Sequence, residues 1–344
     1  MSRKACNFQK NGMKILVYGA GVLGGNLASS LYCQGKNVTL LARGKWYEEI
    51  KRNGLNIHHY FGRNTNTRIP VIEELKQEDR YSVIFVVVRY TQIDSILPVI
   101  KENCSKTVVF VGNNLRTEEI SKKLPDKNLL FAFASSAGHR EEDHIRSVTL
   151  NRITVGNSKG RPSGERFIRK VFKGTKFKVI YEPNMTDWLL CHAASVLPIA
   201  FACYYTDGDL RKIKKDKEYL GRVMDATIAA YAVLENNGHK ILPKSDQEYR
   251  DPKFKKKYLP FYRFICSTKV GKLCTSDHAM NATDEMSGMN RDFKEYLRQY
   301  GDVPKAWTDL EQDTNGYLEG QGVEIMVHDH VQISELPYSK QVKD

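Results

Sequence analysis

The run Lys14-Ile15-Leu16-Val17-Tyr18-Gly19-Ala20-Gly21-Val22-Leu23-Gly24-Gly25 restricts this chain more than any other stretch. Apolar residues lead straight into Gly-x-Gly-x-x-Gly, and Asn26-Leu27-Ala28-Ser29-Ser30-Leu31 reads as the helix that follows. A second strand is predicted over 37–42. This order of strand, glycine turn, helix and strand is that of the first βα unit of a dinucleotide-binding fold. Gly19 permits the tight turn. Gly21 removes the side chain that would hold the backbone away from a pyrophosphate, and Gly24 allows close helix–strand packing. The phosphates are expected at the helix N-terminus, where free N–H groups and the helix dipole favour negative charge. Gly19, Ala20, Gly21, Val22, Leu23 and Gly24 form the expected cofactor-binding loop.

A chain of 344 residues has material for about two domains, each with its own core. The first twelve residues are polar and contain no apolar stretch of the kind a secretory signal needs. The longest apolar run, 189–205, is interrupted by His192, Ser195 and Pro198 and reads as a buried helix rather than a membrane span. Seven scattered cysteines without a Cys-x-x-Cys pair fit reduced thiols and a cytoplasmic location. Two basic clusters, 211–217 and 253–257, contribute to a net charge of +13. No nucleic-acid-binding module accompanies them, so they are read as solvated faces that also favour approach of anionic ligands. His58-His59 and His328-Asp329-His330 lack the spacing of a metal site and are read as surface histidines.

The cofactor's identity is read from Arg43-Gly44-Lys45, just after the second strand. NAD-binding folds usually carry an acid there for the ribose hydroxyls, whereas an arginine suits a 2′-phosphate. Arg43, with Lys45 as helper, therefore points to NADP(H). A buried parallel strand is predicted over 81–88, followed by Arg89, Gln92 and a helix from 93 to about 102. Another strand, 107–111, runs into Gly112-Asn113, and a further one covers 129–133 ahead of the small-residue segment 134–138. Ligands of open α/β sheets bind beyond the carboxyl ends of strands, which is where Arg43, Arg89, Gln92 and Asn113 fall. Short strands at 148–150 and 153–156 are expected to form a hairpin. From about 183 helices are expected over 187–204, 212–236, 277–300 and 304–313, with Asp277 as an N-terminal cap. The expected architecture is α/β: a Rossmann-type dinucleotide-binding domain over 13–182, then an all-α domain over 183–319, with tails at 1–12 and 320–344.

Taken together, Gly19-x-Gly21-x-x-Gly24, Arg43, Val88-Arg89-x-x-Gln92 and Val111-Gly112-Asn113 resemble ketopantoate reductase (2-dehydropantoate 2-reductase). Pro198 in the first helix of the second half, and Asp277 with Glu285 later on, extend the resemblance over about 14–315. It implies NADPH-dependent reduction of a small 2-oxo acid such as ketopantoate, as in pantothenate biosynthesis, in a cleft between the two domains. The helical domain would bind substrate and mediate dimerisation. It further implies that Arg89 takes the place of a cofactor-contacting lysine, that Asn113 touches nicotinamide ribose and substrate, and that Glu285 is the acidic site residue. Three positions of the family pattern are missing. Counted from Pro198 the catalytic lysine should fall at Leu189, and counted from Trp188 at Leu190; two substrate-contacting asparagines are replaced by Ala193 and Leu197. His192 lies one helical step from Leu189 and is the substitute proton donor that this segment offers. The resulting expectation is a 2-oxo acid reductase using Asn113, Glu285 and His192. The alternative is an NADP(H)-binding relative without turnover, acting as a sensor or partner subunit.

Overall fold

The computed structural model describes residues 12–158 and 161–318; the terminal tails and the His328–His330 triplet lie outside these residues. Ten strands form a single sheet. In chain order they are β1 (Lys14–Tyr18), β2 (Asn37–Leu41), β3 (Leu55–His59), β4 (Thr65–Thr67), β5 (Val71–Ile72), β6 (Val83–Val86), β7 (Thr107–Val111), β8 (Asn128–Arg140), β9 (Ile145–Gly156) and β10 (Lys178–Tyr181). The spatial order β5-β2-β1-β6-β7-β8 is parallel throughout, with β9 antiparallel to β8 and β10 parallel to β9. This is the doubly wound arrangement, in which the chain reverses direction of winding beside β1.

The central strands are apolar without alternation because both their faces are covered. Ile15, Val17, Val83, Phe85, Val109 and Val111 point into one core, where helices α1 (Val22–Cys33), α2 (Gly44–Asn53) and α5 (Glu165–Val171) pack. Leu16, Tyr18, Ile84, Val86, Val108 and Phe110 point into the other. That second core takes α3 (Ile93–Glu102) and α4 (Thr117–Lys123) and continues without a break into the helical half of the chain.

That half opens with α6 (Met185–Tyr205), in which Asn184 caps the first turn by accepting from the Asp187 N–H. It continues through α7 (Lys217–Asn236), α8 (Phe254–Ser267), α9 (Lys269–Cys274), α10 (Ser276–Asn281), α11 (Thr283–Arg298) and α12 (Lys305–Gln312). The helix α6 is long and apolar enough to cross a membrane by length and composition alone, and 67% of its most apolar stretch is buried within the protein. The six cysteines among the described residues are free.

Several sequence expectations are corrected. The segment 134–138 is the continuation of β8, and the two short strands expected around 150 are one strand, β9, paired to β8 in a long antiparallel ribbon. Asn151 at φ 46° interrupts β9 without ending it, which is why it reads locally as a turn. The helix expected over 212–236 is divided: a short 3₁₀ turn Leu210–Ile213 precedes Asp216, which caps α7. That expected over 277–300 is broken at Ala282, and Thr275, not Asp277, stands at the N-cap of α10. The basic cluster 253–257 belongs to α8, whose apolar face (Phe254, Tyr262, Ile265, Cys266) is buried.

Candidate active site

The glycine turn has the backbone a diphosphate site requires. Gly19 sits at φ +113°, and a Cβ there would lie 2.1 Å from the Val87 carbonyl oxygen. A Cβ on Gly24 would lie 1.9 Å from the Gly19 carbonyl oxygen. Both positions thus exclude any side chain for internal reasons. Gly21 differs, since a Cβ there meets nothing within 4 Å. Its smallness serves no internal contact, and it is the N-cap of α1 without any side-chain cap. The first turn of α1 is therefore left without a side-chain cap, the condition in which a helix start takes an anion. The Trp46 indole donates to the Ala20 carbonyl at 2.8 Å and ties α2 to this loop.

At the carboxyl end of β2, Arg43 is exposed, donates to the Tyr18 hydroxyl and lies over the Tyr18 ring at 5.5 Å. Sequence reasoning missed a neighbour here. Glu73, just past β5, accepts from the Gly44 N–H at 3.2 Å, so an acid does stand at this corner, supplied by a different strand end. Its distance along the chain from Arg43 hid it.

Beyond β6, Arg89 donates to both Asp284 carboxylate oxygens at 3.1 Å and to the Asn281 carbonyl at 3.3 Å. Gln92 accepts from the Arg89 N–H at 3.2 Å, closing the turn that leads into α3. The adjoining Tyr90 donates to Asp292 at 2.7 Å, so this turn is bound to α11 at two points. Gly288 of α11 makes room, as a Cβ there would come 3.2 Å from the Thr91 methyl.

At the end of β7, Gly112 at φ +131° turns Asn113 toward the helical half. The Asn113 amide donates to Glu285 Oε1 at 3.3 Å. Glu285, 8% exposed, lies in the first turn of α11. The Asn113 Oδ1 atom is buried and has no hydrogen-bond partner among the described residues. A buried polar oxygen without a partner costs free energy unless a ligand satisfies it. The structure thus joins Asn113 and Glu285 across the two halves and leaves one acceptor to spare.

It does not bring His192 to them. His192 lines a separate cavity of about 640 Å³ whose walls include none of the glycine loop, Arg89, Asn113 or Glu285. Its ring stacks on Trp188 at 5.1 Å and meets Phe133 at 4.2 Å. Burial, with His278 adding to it, pushes its pKa down to about 4. At neutral pH it is an uncharged imidazole, so the charged form of the proton donor expected there is not the resting one. Leu189 and Leu190 are each 1% exposed within the shared core, so the positions where a lysine was sought are packed with apolar side chains. Among the described residues no group of three metal-ligating side chains occurs.

Residues 15–160 match the family model of ketopantoate reductase PanE/ApbA. This dinucleotide-binding half is similar to the ketopantoate reductase family over that span. Over 201 residues the chain is 24% identical to a 2-dehydropantoate 2-reductase of Archaeoglobus fulgidus, covering 57% of this chain and 66% of that protein. Over 174 residues it is 27% identical to the Bacillus subtilis oxidoreductase YkpB, covering 49% and 57%. The chain thus spans less than two thirds of the length of each of these relatives. The fold continues further than the sequence match. A 2-dehydropantoate 2-reductase from Geobacter metallireducens superposes with a TM-score of 0.73 at 16% identity, over 89% of this chain and 99% of that one. A D-mandelate dehydrogenase bound to NADH and anilino(oxo)acetate superposes with a TM-score of 0.72 at 15% identity, over 89% and 98%.

Proposed function

We propose that this chain is an NADPH-dependent reductase of 2-oxo acids, working in the cleft between the sheet and α11. The observation that carries this reading is the Asn113–Glu285 hydrogen bond, with the unpartnered Asn113 Oδ1 beside it. The chain's own groups fit a nicotinamide dinucleotide: an uncapped helix start behind Gly21, an exposed Arg43 and a buried acceptor at the far strand end. When bound, the cofactor would supply the hydride that reduces a carbonyl. The α1 N-terminus would hold its diphosphate, and Arg43 its 2′-phosphate. Asn113 can accept a hydroxyl through Oδ1 while its amide keeps Glu285 in register. Glu285 can accept from a substrate hydroxyl and so fix the orientation of the reacting carbon. Ketopantoate belongs to the substrate class because the family acts on it, and the D-mandelate dehydrogenase structure holds an aryl 2-oxo acid analogue, anilino(oxo)acetate.

A second reading has one specific observation behind it. With Leu189 and Leu190 in the core and His192 neutral, α6 presents no charged acid to a developing alkoxide. The protein would then hold NADP(H) without turnover, as a sensor or partner subunit. Following NADPH absorbance with ketopantoate and a panel of 2-oxo acids separates the two. Oxidation that falls about a hundredfold in Glu285→Gln and Asn113→Ala, with NADPH still bound, supports the reductase. Binding without oxidation across the panel supports the sensor, and absence of NADPH binding defeats both.

A further inference from the structure

The cavity of about 640 Å³ is large enough for a small organic ligand, and its walls are unevenly made. Phe133, Trp188 and His192 form one side, the His192 ring lying nearly parallel to Trp188 at 14°. Such a surface takes a flat ring by stacking. Arg152, Lys240 and Lys244 also line it, and all three are exposed. None of the three side chains has a hydrogen bond or ion pair among the described residues. Glu182 is the one carboxylate in the lining, and its Oε1 already accepts from the Asn184 N–H at 3.0 Å. Among the lining residues positive charge therefore exceeds negative. Inside, His192 Nε2 is buried and has no hydrogen-bond partner among the described residues, and a neutral imidazole can place its single N–H on that atom.

From this arrangement we infer that the cavity is a binding site for a small aromatic carboxylate. The ring stacks against Trp188 and His192, and the carboxylate is held by the three rim cations. The location favours such a role. Phe133 and Ser135 lie on β8 just past the residues it pairs with β7, and the loop 240–247 supplies five of the lining residues. The inference does not depend on turnover, since the cavity exists without the dinucleotide cleft.

The test is therefore made first without cofactor. Phenylpyruvate and benzoate, titrated into the full chain, are expected to quench tryptophan emission and to release heat in calorimetry. Benzamide, the uncharged analogue of benzoate, is expected to bind at least tenfold more weakly. Trp188→Phe should abolish the quench and keep the heat, which locates the ligand. Lys240→Ala with Lys244→Ala, both exposed and thus tolerable to the fold, should weaken binding of the carboxylates tenfold or more. Absence of heat and quench up to millimolar ligand overturns the site, as does equal affinity for benzoate and benzamide, or unchanged affinity in the double variant. With NADPH then added, oxidation driven by phenylpyruvate and reduced in the double variant makes the cavity the substrate's pocket. Binding without oxidation makes it a ligand site apart from hydride transfer. Both outcomes uphold the site, and only the second bears against the reductase reading.

Discussion

Asn113 and Glu285 stand 172 positions apart in the chain and share a hydrogen bond, while Arg43 and Glu73 oppose one another at a single corner. The second case yields a prediction about cofactor choice. Glu73 holds the Gly44 N–H at the start of α2, the group a 2′-phosphate would otherwise attract, and its charge repels that phosphate. Arg43→Ala is expected to weaken NADPH binding at least tenfold and to leave NADH nearly unchanged. Glu73→Gln is expected to tighten NADPH several-fold. Calorimetric titration with both cofactors checks this, and an equal loss for NADH and NADPH in Arg43→Ala would remove the 2′-phosphate assignment. His192 yields another prediction. Its folded pKa of about 4 lies below the ordinary 6.5, so between those values the unfolded chain takes up a proton that the native chain refuses. That part of the stability is full above pH 6.5 and is lost as pH falls toward 4, by at most about 3 kcal/mol. Urea denaturation at pH 7 and pH 5 should show a larger acid loss for the natural protein than for His192→Gln. Parallel losses would mean that the imidazole is not buried as described.

At the scale of elements, the turn 89–92 and the helix α11 act as a unit. Arg89 and Asp284 are about half and two-fifths exposed, so their ion pair contributes less than about 1 kcal/mol to stability. It can instead compete with the cofactor for the guanidinium. Arg89→Ala should lower NADPH affinity about tenfold, Asp284→Asn should raise it or leave it unchanged, and neither should move the thermal midpoint by more than a few degrees. If both variants lose affinity alike, the pair serves to position α11 rather than to gate Arg89. The elements also show what the sequence disclosed. Strands β1, β6 and β7 were legible because burial on both faces leaves an unbroken apolar run, and the glycine loop because its spacing has a backbone cause. The helix α8 was obscured by Lys255, Lys256 and Lys257, whose charges mask a narrow apolar face. The β8–β9 ribbon was obscured by small residues and by Asn151. Within the site, Asn113 was legible from its strand end, and Glu285 from the family pattern. The cavity was not, because β8, β9 and α6 each contribute only two of its residues and the rest come from the distant 240–247 loop and the segment around Glu182. Trp188 and His192, four apart on one helix, were the available signal.

For the molecule as a whole, the decisive feature is that one core serves both halves. Leu16, Ile84, Val108 and Phe131 of the sheet pack in the same cluster as Leu189, Phe201, Phe293 and Trp307 of the helices. Thr117 and Thr186 add a hydroxyl pair at 2.8 Å across that junction. Domains joined by a small polar interface can unfold separately, whereas a continuous apolar core couples them. The full chain is therefore expected to unfold in one transition, with near-ultraviolet dichroism and far-ultraviolet dichroism following the same urea curve. A chain ending at residue 182 would keep its glycine loop and Arg43 yet leave bare the sheet face that α6 covers. It should bind a hydrophobic dye strongly and associate in solution. A soluble, dye-silent fragment that still binds NADPH would show the dinucleotide half to be self-sufficient, and the shared core would then have to be regarded as a docking surface between two independent domains.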